Sequence, residues 1–374
     1  MKIFYMAHGL GDWGGSEIYT RDLVKELIKR GHELRVTALS TYPEKHRDIG
    51  VYRPPVFGHN GLYKFEVPLF TRRLMRMARE FKPDVVQSHG TSLLGLVGHF
   101  IKRDLKIPHV LLIELISSIN RNMHGRAVFL SEKFLLPKLN YDRLLIWTSH
   151  MKDKFLVPWG IDERRIVLFP AALNLDAYDP AIDCSDIKGK YGGKLITCVK
   201  TLYYTNVMGM EHIIRAMKIV SRAHPEYKLL VFGEGNYKFY LENLTKKLGL
   251  ENFIQFPGGV PPEVYKKVCA ATDVAPHSFL YEFSTSISLL EYMAMGRPCV
   301  VTDIGSVREF VGDSALVVKS ADEKSIAEGI IRLIENPKLR ETLGRKARKR
   351  VEEKYSIKSS VDILEKIYEE LTGK

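Results

Sequence analysis

The sequence predicts an α/β protein made of two doubly wound parallel sheets in series. Three observations carry this expectation. The first half alternates apolar, β-branched runs with amphipathic stretches, and it opens on a strand, a glycine-rich turn, a helix and a second strand. The second half repeats that logic with five more strands separated by helices. The chain, at 374 residues, is longer than one ordinary core organises. Two domains are therefore expected, 1–176 and 177–356, joined near Asn174–Asp183, with helix 357–374 packing back on the first.

In order, KIFYMAHG is a buried strand and GLGDWGGSE a glycine-rich turn. Ser16 is placed to cap a helix that runs through Lys29 and is closed by Gly31; HELRVTALS is the next strand. A βαβ unit of this kind puts ligands at the carboxyl ends of its strands. The glycines do not follow G-x-G-x-x-G, so a dinucleotide fingerprint is not supported. Gly14 and Gly15 either let a ligand approach the backbone closely or form a plain tight turn. After an aromatic- and proline-rich loop (42–68), Phe70, Leu74, Met77, Ala78 and Phe81 share one helical face, with Arg72, Arg76 and Arg79 opposite and Arg73 beside them. That basic face is either a membrane-surface or phosphate patch or a solvated side. Pro83 ends the helix, and DVVQSHG leads a third strand out to His89. IPHVLLIEL puts Glu114 at the corresponding end of a fourth, and RLLIWTSH and RIVLFPAALN complete the half.

In the second half the strands are KLITCVKTL, YKLLVFGEG, NFIQFPGGV, DVAPHS and PCVVTD, with helices at 209–223, 236–248, 262–271 and 286–295. The last of these helices is the chemical centre of the chain. Ser284, Thr285 and Ser286 form an N-cap run, and Gly296 and Pro298 stop the helix before a buried strand. A serine-rich loop feeding a helix start suits an anion. Glu291 lies one turn inside, among mostly apolar neighbours, where it can accept hydrogen bonds from sugar hydroxyls. A helix end for phosphates beside a carboxylate for a ribose describes a nucleotide site; a helix whose Glu pairs with a nearby Lys is the simpler alternative. The basic run Arg345–Arg350 alternates with carboxylates at i,i+4, which reads as a solvated helix face.

Composition narrows the classes. Hydrophobic residues make up 45% of the chain, as in a globular protein. MKIFYMAHG is not a charged leader, and Val110–Ile119, interrupted by Glu114, is too short to span a bilayer. Cys184, Cys198, Cys269 and Cys299 are scattered without C-x-x-C, which argues for a reducing, cytoplasmic setting and against a zinc site. The net charge of +12 is uneven: residues 1–176 hold 27 Lys and Arg against 18 Asp and Glu. The first half should therefore meet something anionic, such as nucleic acid, phospholipid or a phosphorylated substrate. Without an aromatic-interleaved basic motif, nucleic acid is not expected.

Several motifs resemble the GT-B retaining glycosyltransferases of family four, and the likeness covers nearly the whole chain. GGSE (Gly14–Glu17) with GHELRVTALS is similar to that family's N-terminal signature, KPDVVQSHG to its "PDVVHxH" strand and VLFPAALN to its "PNGVD" linker. The segment 247–278 looks like its nucleobase side. SLLEYMAMGRPCVVTDIGSVREFV is similar to "PLLEAMAxGxPVVxTxxGGxxEIV", the most specific match. The resemblance implies two Rossmann-like domains facing a cleft, the first for the acceptor and the second for the donor. It implies transfer of a hexose, with retention, from a UDP- or GDP-sugar to a sugar or lipid-linked acceptor, without metal or other cofactor. An anionic membrane surface is a further expected partner. Lys200 and the helix start (Thr285, Ser286, Ile287, Ser288) would hold the diphosphate, and Glu291 the ribose. Phe256, Gly258 and Val260 would line the base. Glu282 or Glu309 would touch the sugar, while His89, Glu114, Gly14 and Gly15 would face acceptor and sugar.

The chain also departs from that pattern. The first Glu of the family's E-x7-E pair falls on Phe283, with Glu282 one residue off. Lys200 stands for the usual Arg, its basic partner falls near Met208, and the family's N-domain His aligns with Glu114. A nucleotide-sugar binder that has lost catalysis and a GT-B epimerase are therefore the competing expectations.

Overall fold

A computed structural model describes residues 1–11, 14–42, 63–90, 93–116, 123–203, 209–280 and 286–374. Their contacts divide them into two compact units, Met1–Ala172 with Ile357–Lys374, and Leu173–Ser356. The break comes slightly before residue 176, because Leu173 already donates its N–H to Tyr355 O (2.8 Å) inside the second unit.

In the first unit, β1 (Lys2–Gly11), β2 (Glu33–Tyr42), β3 (Val85–His89), β4 (His109–Ile113), β5 (Arg143–Ile146) and β6 (Ile166–Leu168) form one sheet in the order β2-β1-β3-β4-β5-β6. Every pairing is parallel. Ile3, Phe4, Tyr5, Met6 and Ala7 are all buried, as a central strand covered on both faces requires. The connecting helices are α1 (Gly15–Lys29), α2 (Tyr63–Phe81), α3 (Leu93–Leu105), α4 (Met123–Leu135) and the short α5 (Ser149–Met151). α1 closes at Gly31 (φ 86°), whose N–H donates to Ile28 O while His32 N–H donates to Leu27 O. Helix α2 begins at Tyr63, so the expected loop is shorter than 42–68; Phe70, Leu74, Met77, Ala78 and Phe81 are buried, and the four arginines are exposed.

The second unit contains α6 (Ser185–Tyr191), β7 (Leu195–Val199), α7 (Met210–Ala223), β8 (Lys228–Phe232), α8 (Lys238–Lys247), β9 (Ile254–Gly258), α9 (Pro262–Ala271) and β10 (Ala275–His277). It continues with α10 (Ile287–Ala294), β11 (Cys299–Thr302), α11 (Val307–Val311), β12 (Leu316–Val318), α12 (Glu323–Glu335) and α13 (Pro337–Lys354). Strands β7-β8-β9 and β10-β11-β12 are two parallel ladders that meet where Ile196 bridges Val274. Strand β12 escaped the sequence reading because it is only three residues long, LVV.

Helix α14 (Ile357–Thr372) belongs to the first unit. Arg30 pairs there with Asp362 (2.5 Å) and Glu365 (2.7 Å), and Tyr368 donates its hydroxyl to buried Gln87. Both sheets reverse their winding direction once, between β1 and β3 and between β7 and β10. In doubly wound sheets ligands bind outside the strands' carboxyl ends at such switch points.

Candidate active site

Lys200 follows β7 directly, at the switch point of the second unit. Its N–H donates to Phe232 O (3.0 Å), and its ammonium lies 4.9 Å from the Phe279 ring centre. Phe279 is fixed from behind. Thr302 Oγ1 accepts its N–H (2.7 Å), and the Ser320 hydroxyl donates to its carbonyl (2.8 Å). Among the described residues no carboxylate lies within ion-pair distance of Lys200. Burial lowers its pKa to about 8. Burial, then the Lys200 charge, holds the neighbouring His277 down to about 3, so this imidazole stays neutral. The Ser278 hydroxyl is buried and has no hydrogen-bond partner among the described residues. The result is a half-buried cation without a carboxylate partner among the described residues, which suits an anionic ligand.

The loops after β7 and β8 press together at this edge. A Cβ on Gly233 would lie 1.7 Å from Lys200 O, so only glycine fits there. Gly258, at the end of β9, has φ 92° and accepts the Gly233 N–H (2.8 Å); Phe256 and Val260 beside it are half-buried.

Helix α10 starts at Ser286, whose Oγ accepts the Leu289 N–H (3.4 Å) and lies 3.0 Å from Ser288 Oγ. Ile287 is buried and Ser288 half-buried. Gly296 (φ 65°) ends the helix with the paired turn bonds expected of it. Glu291 is only 6% exposed. Tyr178 donates to its Oε1 (2.7 Å), and Tyr265 donates to its Oε2. These two tyrosines are partners of Glu291 that the sequence did not name. The carboxylate is oriented by two phenols, and a carboxylate with about four lone-pair sites can accept more. Burial raises the Tyr265 pKa well above its ordinary value, so this group remains a donor.

Glu309, on α11, is exposed, and its carbonyl accepts from Arg350 (2.7 Å). Glu282 and Thr285, with Phe283 and Met208, lie outside the described residues. In the basic run on α13, Arg345 pairs with Glu341 (2.5 Å), Lys346 with Asp313 (2.6 Å) and Arg348 with Glu352 (2.6 Å), while Arg350 donates to the Phe310 and Glu309 carbonyls.

The first unit gathers a different group at its own switch point. His89 ends β3, and its Nε2 lies 2.6 Å from the Tyr5 hydroxyl; its Nδ1 lies 3.7 Å from Glu114 Oε1. Ser16 donates to Glu114 Oε2 (2.5 Å). This corrects the expected capping role of Ser16: α1 has Gly14 as its N-cap with no side-chain cap bond, because the serine hydroxyl is spent on Glu114. Burial raises the Glu114 pKa to about 7, against the smaller opposing effect of Ser16. Burial, then His8, lowers His89 to about 3. At neutral pH the imidazole is uncharged, and the carboxyl is near its titration midpoint. Glu114 keeps 20% of its side chain exposed, while its Oε1 is buried.

Gly14 (φ 88°) needs its glycine, but the space beside it is not open. A Cβ there would lie 2.2 Å from Glu17 Oε2, the far end of a flexible side chain. Gly15 is the first residue of α1. The sequence reading missed Tyr5, Ser16 as a partner, Tyr178, Tyr265 and Ser278. Ser16 lay within the GGSE motif, and Tyr265 and Ser278 within the segment 247–278.

Comparison with known proteins gives a consistent picture. The glycosyl transferases group 1 family profile matches residues 186–350, and a glycosyl transferase 4-like domain profile matches residues 14–172. The chain is 26% identical to an uncharacterized glycosyltransferase of Methanocaldococcus jannaschii, covering 92% of this chain and 91% of that protein. It is 25% identical to a D-inositol 3-phosphate glycosyltransferase of Corynebacterium jeikeium, covering 97% of this chain and 93% of that protein. Among solved structures it is similar to HepE of Anabaena in complex with UDP and glucose (TM-score 0.83, 18% identity, 99% of this chain and 100% of that one). It is equally similar to a sucrose-phosphate synthase from Thermosynechococcus elongatus (TM-score 0.83, 18% identity, complete coverage of both). The two structural likenesses establish a GT-B fold.

Proposed function

The chain belongs to the group 1 glycosyltransferases, and on that premise we propose that it moves a hexosyl group from a UDP- or GDP-sugar to an acceptor hydroxyl with retention. The observation that carries the donor assignment is Lys200: a half-buried ammonium at a switch point, stacked on a fixed ring, with no carboxylate in ion-pair distance among the described residues. Transfer breaks the bond between the anomeric carbon and the phosphate oxygen and forms one to the acceptor oxygen on the same face. The acceptor's proton leaves with the diphosphate. Negative charge grows on the leaving group, so the cation and the N–H groups at the start of α10 act where the transition state needs them.

Glu291, preset by Tyr178 and Tyr265, would accept the ribose hydroxyls, and Phe256, Gly258 and Val260 would flank the base. Glu309 would take a sugar hydroxyl. In the first unit, Glu114 and His89 would orient the acceptor hydroxyl through the Ser16–Glu114 and Tyr5–His89 pairs. This reading assigns the diphosphate's charge to protein groups and needs no metal ion. UDP named in a solved neighbour's complex and the inositol phosphate of a curated relative both agree with a nucleotide sugar and a polar acceptor.

Sugar-nucleotide turnover measured with and without added acceptors tests the proposal. Donor consumption that depends on acceptor supports transfer. Epimerised donor without acceptor would replace transfer with epimerisation. Donor binding without turnover would favour the inert binder, the reading motivated by Phe283 at the first position of the glutamate pair. No thermal stabilisation by any UDP- or GDP-sugar at millimolar concentration would remove the donor assignment itself.

A further inference from the structure

We propose that the second unit carries a second anion site, at the edge of its sheet where the strands begin, for a small phosphate-bearing ligand. A cleft of about 500 Å³ opens there. Its walls include Asp273, just before β10, and Arg297, just before β11, so it lies at the opposite strand ends from Lys200. Helix α13 supplies the facing wall with Arg340, Arg345, Arg348 and Lys349.

Two of these guanidiniums differ from the surface pairs around them. Arg297 donates to Met295 O (2.9 Å) and Pro180 O (3.3 Å). Arg340 donates to Leu333 O (2.9 Å) and Ile334 O (2.7 Å). All four acceptors are neutral carbonyls, and among the described residues neither arginine has a carboxylate within ion-pair distance. Each is held in place by neutral carbonyls, and Asp273 acts on Arg297 only at longer range. The carboxylates in the walls are engaged elsewhere: Glu341 with Arg345, Glu352 with Arg348, and Asp273 with the Leu195 N–H (2.9 Å). Rigid forks with donors to spare suit phosphate oxygens better than water does.

The same wall touches the nucleotide helix. Arg348 donates to Ala294 O (2.6 Å), the last residue of α10, and to Tyr178 O (2.8 Å). Tyr178 in turn donates to Glu291. An anion that draws on Arg348 therefore pulls on the group that orients Glu291. Occupancy should change nucleotide affinity, and nucleotide should change anion affinity by the same factor. This coupling rests on the nucleotide reading above; the site itself does not.

Calorimetric titration of the full chain with inorganic phosphate, pyrophosphate and glycerol 3-phosphate, without nucleotide, tests the site. At least one ligand should bind saturably. Binding should survive Lys200→Ala and fall at least tenfold in Arg340→Gln. Because Arg340 also ties the end of α12, Lys349→Glu on the exposed rim serves as a second variant and should weaken binding in a chain that melts normally. Tighter binding of glycerol 3-phosphate than of phosphate would assign a phosphate ester; the reverse would assign the free ion. Binding lost in Lys200→Ala but kept in both cleft variants would place the anion at the other edge and overturn the proposal, as would no saturable binding. In the coupling arm, saturating anion should shift UDP affinity at least threefold in the parent chain and not in Arg340→Gln. An unchanged UDP affinity would overturn the coupling.

Discussion

The two units share one architecture and use it for opposite electrostatics. At the switch point of the second, Lys200 has no carboxylate in ion-pair distance among the described residues, while burial and its charge keep the imidazole beside it neutral. At the switch point of the first, Ser16, Glu114, His89 and Tyr5 form a compact polar group whose single titrating member is poised near neutrality. A doubly wound sheet fixes where a ligand goes, but the residues one or two positions past each strand decide what it is. The second unit is set up for an anion that arrives with its charge. The first suits a neutral hydroxyl that must be aimed.

If that contrast is right, removing the cation should have the largest effect of any single change. Lys200→Ala should slow donor turnover on the order of 10²-fold or more, since the lost interaction acts on charge that develops in the transition state. It should weaken UDP far more than uridine. Equal losses for both ligands would take Lys200 out of the diphosphate site and erase the distinction between the units.

Next in size is the support of Glu291. Tyr178→Phe or Tyr265→Phe removes one hydrogen bond to a buried carboxylate, and bonds to charged groups contribute about 1.5–3 kcal/mol. The donor KM should rise about tenfold, with 2′-deoxy-UDP losing less than UDP because it lacks a ribose contact to begin with. A variant that binds both nucleotides as the parent does would confine the tyrosines to a structural role.

Those tyrosines also show where the sequence stops being legible. Helix α10 could be read directly, since its cap, its stop glycine and the following strand are local signals. Glu291 stood out because a carboxylate among apolar neighbours needs a partner. The partner could not be named: Tyr178 lies in the segment entering the second unit and Tyr265 on α9, and only tertiary packing brings them to α10. Ser16 failed for a related reason. A serine near a helix start is a good local cap, and the buried Glu114 competed for its hydroxyl and won. Alternation of strands and helices sufficed for both sheets, except for β12, whose three residues carry too little pattern.

The titrating group of the first unit gives a subtler effect. In the folded chain Glu114 holds its proton to about pH 7, against an ordinary 4.5. Between those values the folded state binds more protons than the unfolded state, so stability falls as pH rises through that window and levels off above it. Glu114→Gln removes this loss, a gain on the order of 1–3 kcal/mol at pH 8 and little at pH 4.5. The melting temperature of the variant relative to the parent should therefore climb across the window. A constant difference from pH 4.5 to 8 would mean that Glu114 titrates as an ordinary surface acid. The first unit would then lack the near-neutral group that sets it apart.

The smallest effect on turnover should come from the outer face of α2, where Arg72, Arg73, Arg76 and Arg79 are exposed while the opposite side is buried. No helix among the described residues is long and apolar enough to cross a membrane. The basic face must carry the argument alone. We propose that it holds the protein loosely against anionic lipid, where a lipid-linked acceptor would be found. Each arginine near such a surface is worth about 1 kcal/mol, and screening over roughly 8–10 Å at physiological salt makes the attachment reversible. Anionic vesicles should sediment the protein at low salt and release it at high salt. The triple change Arg72→Ser, Arg76→Ser and Arg79→Ser should abolish sedimentation and leave turnover of a soluble acceptor unchanged. Equal recovery with neutral and anionic vesicles would make the excess charge of the first unit a matter of solubility. The two units would then differ only in their switch-point chemistry, and a soluble acceptor would be the better reading.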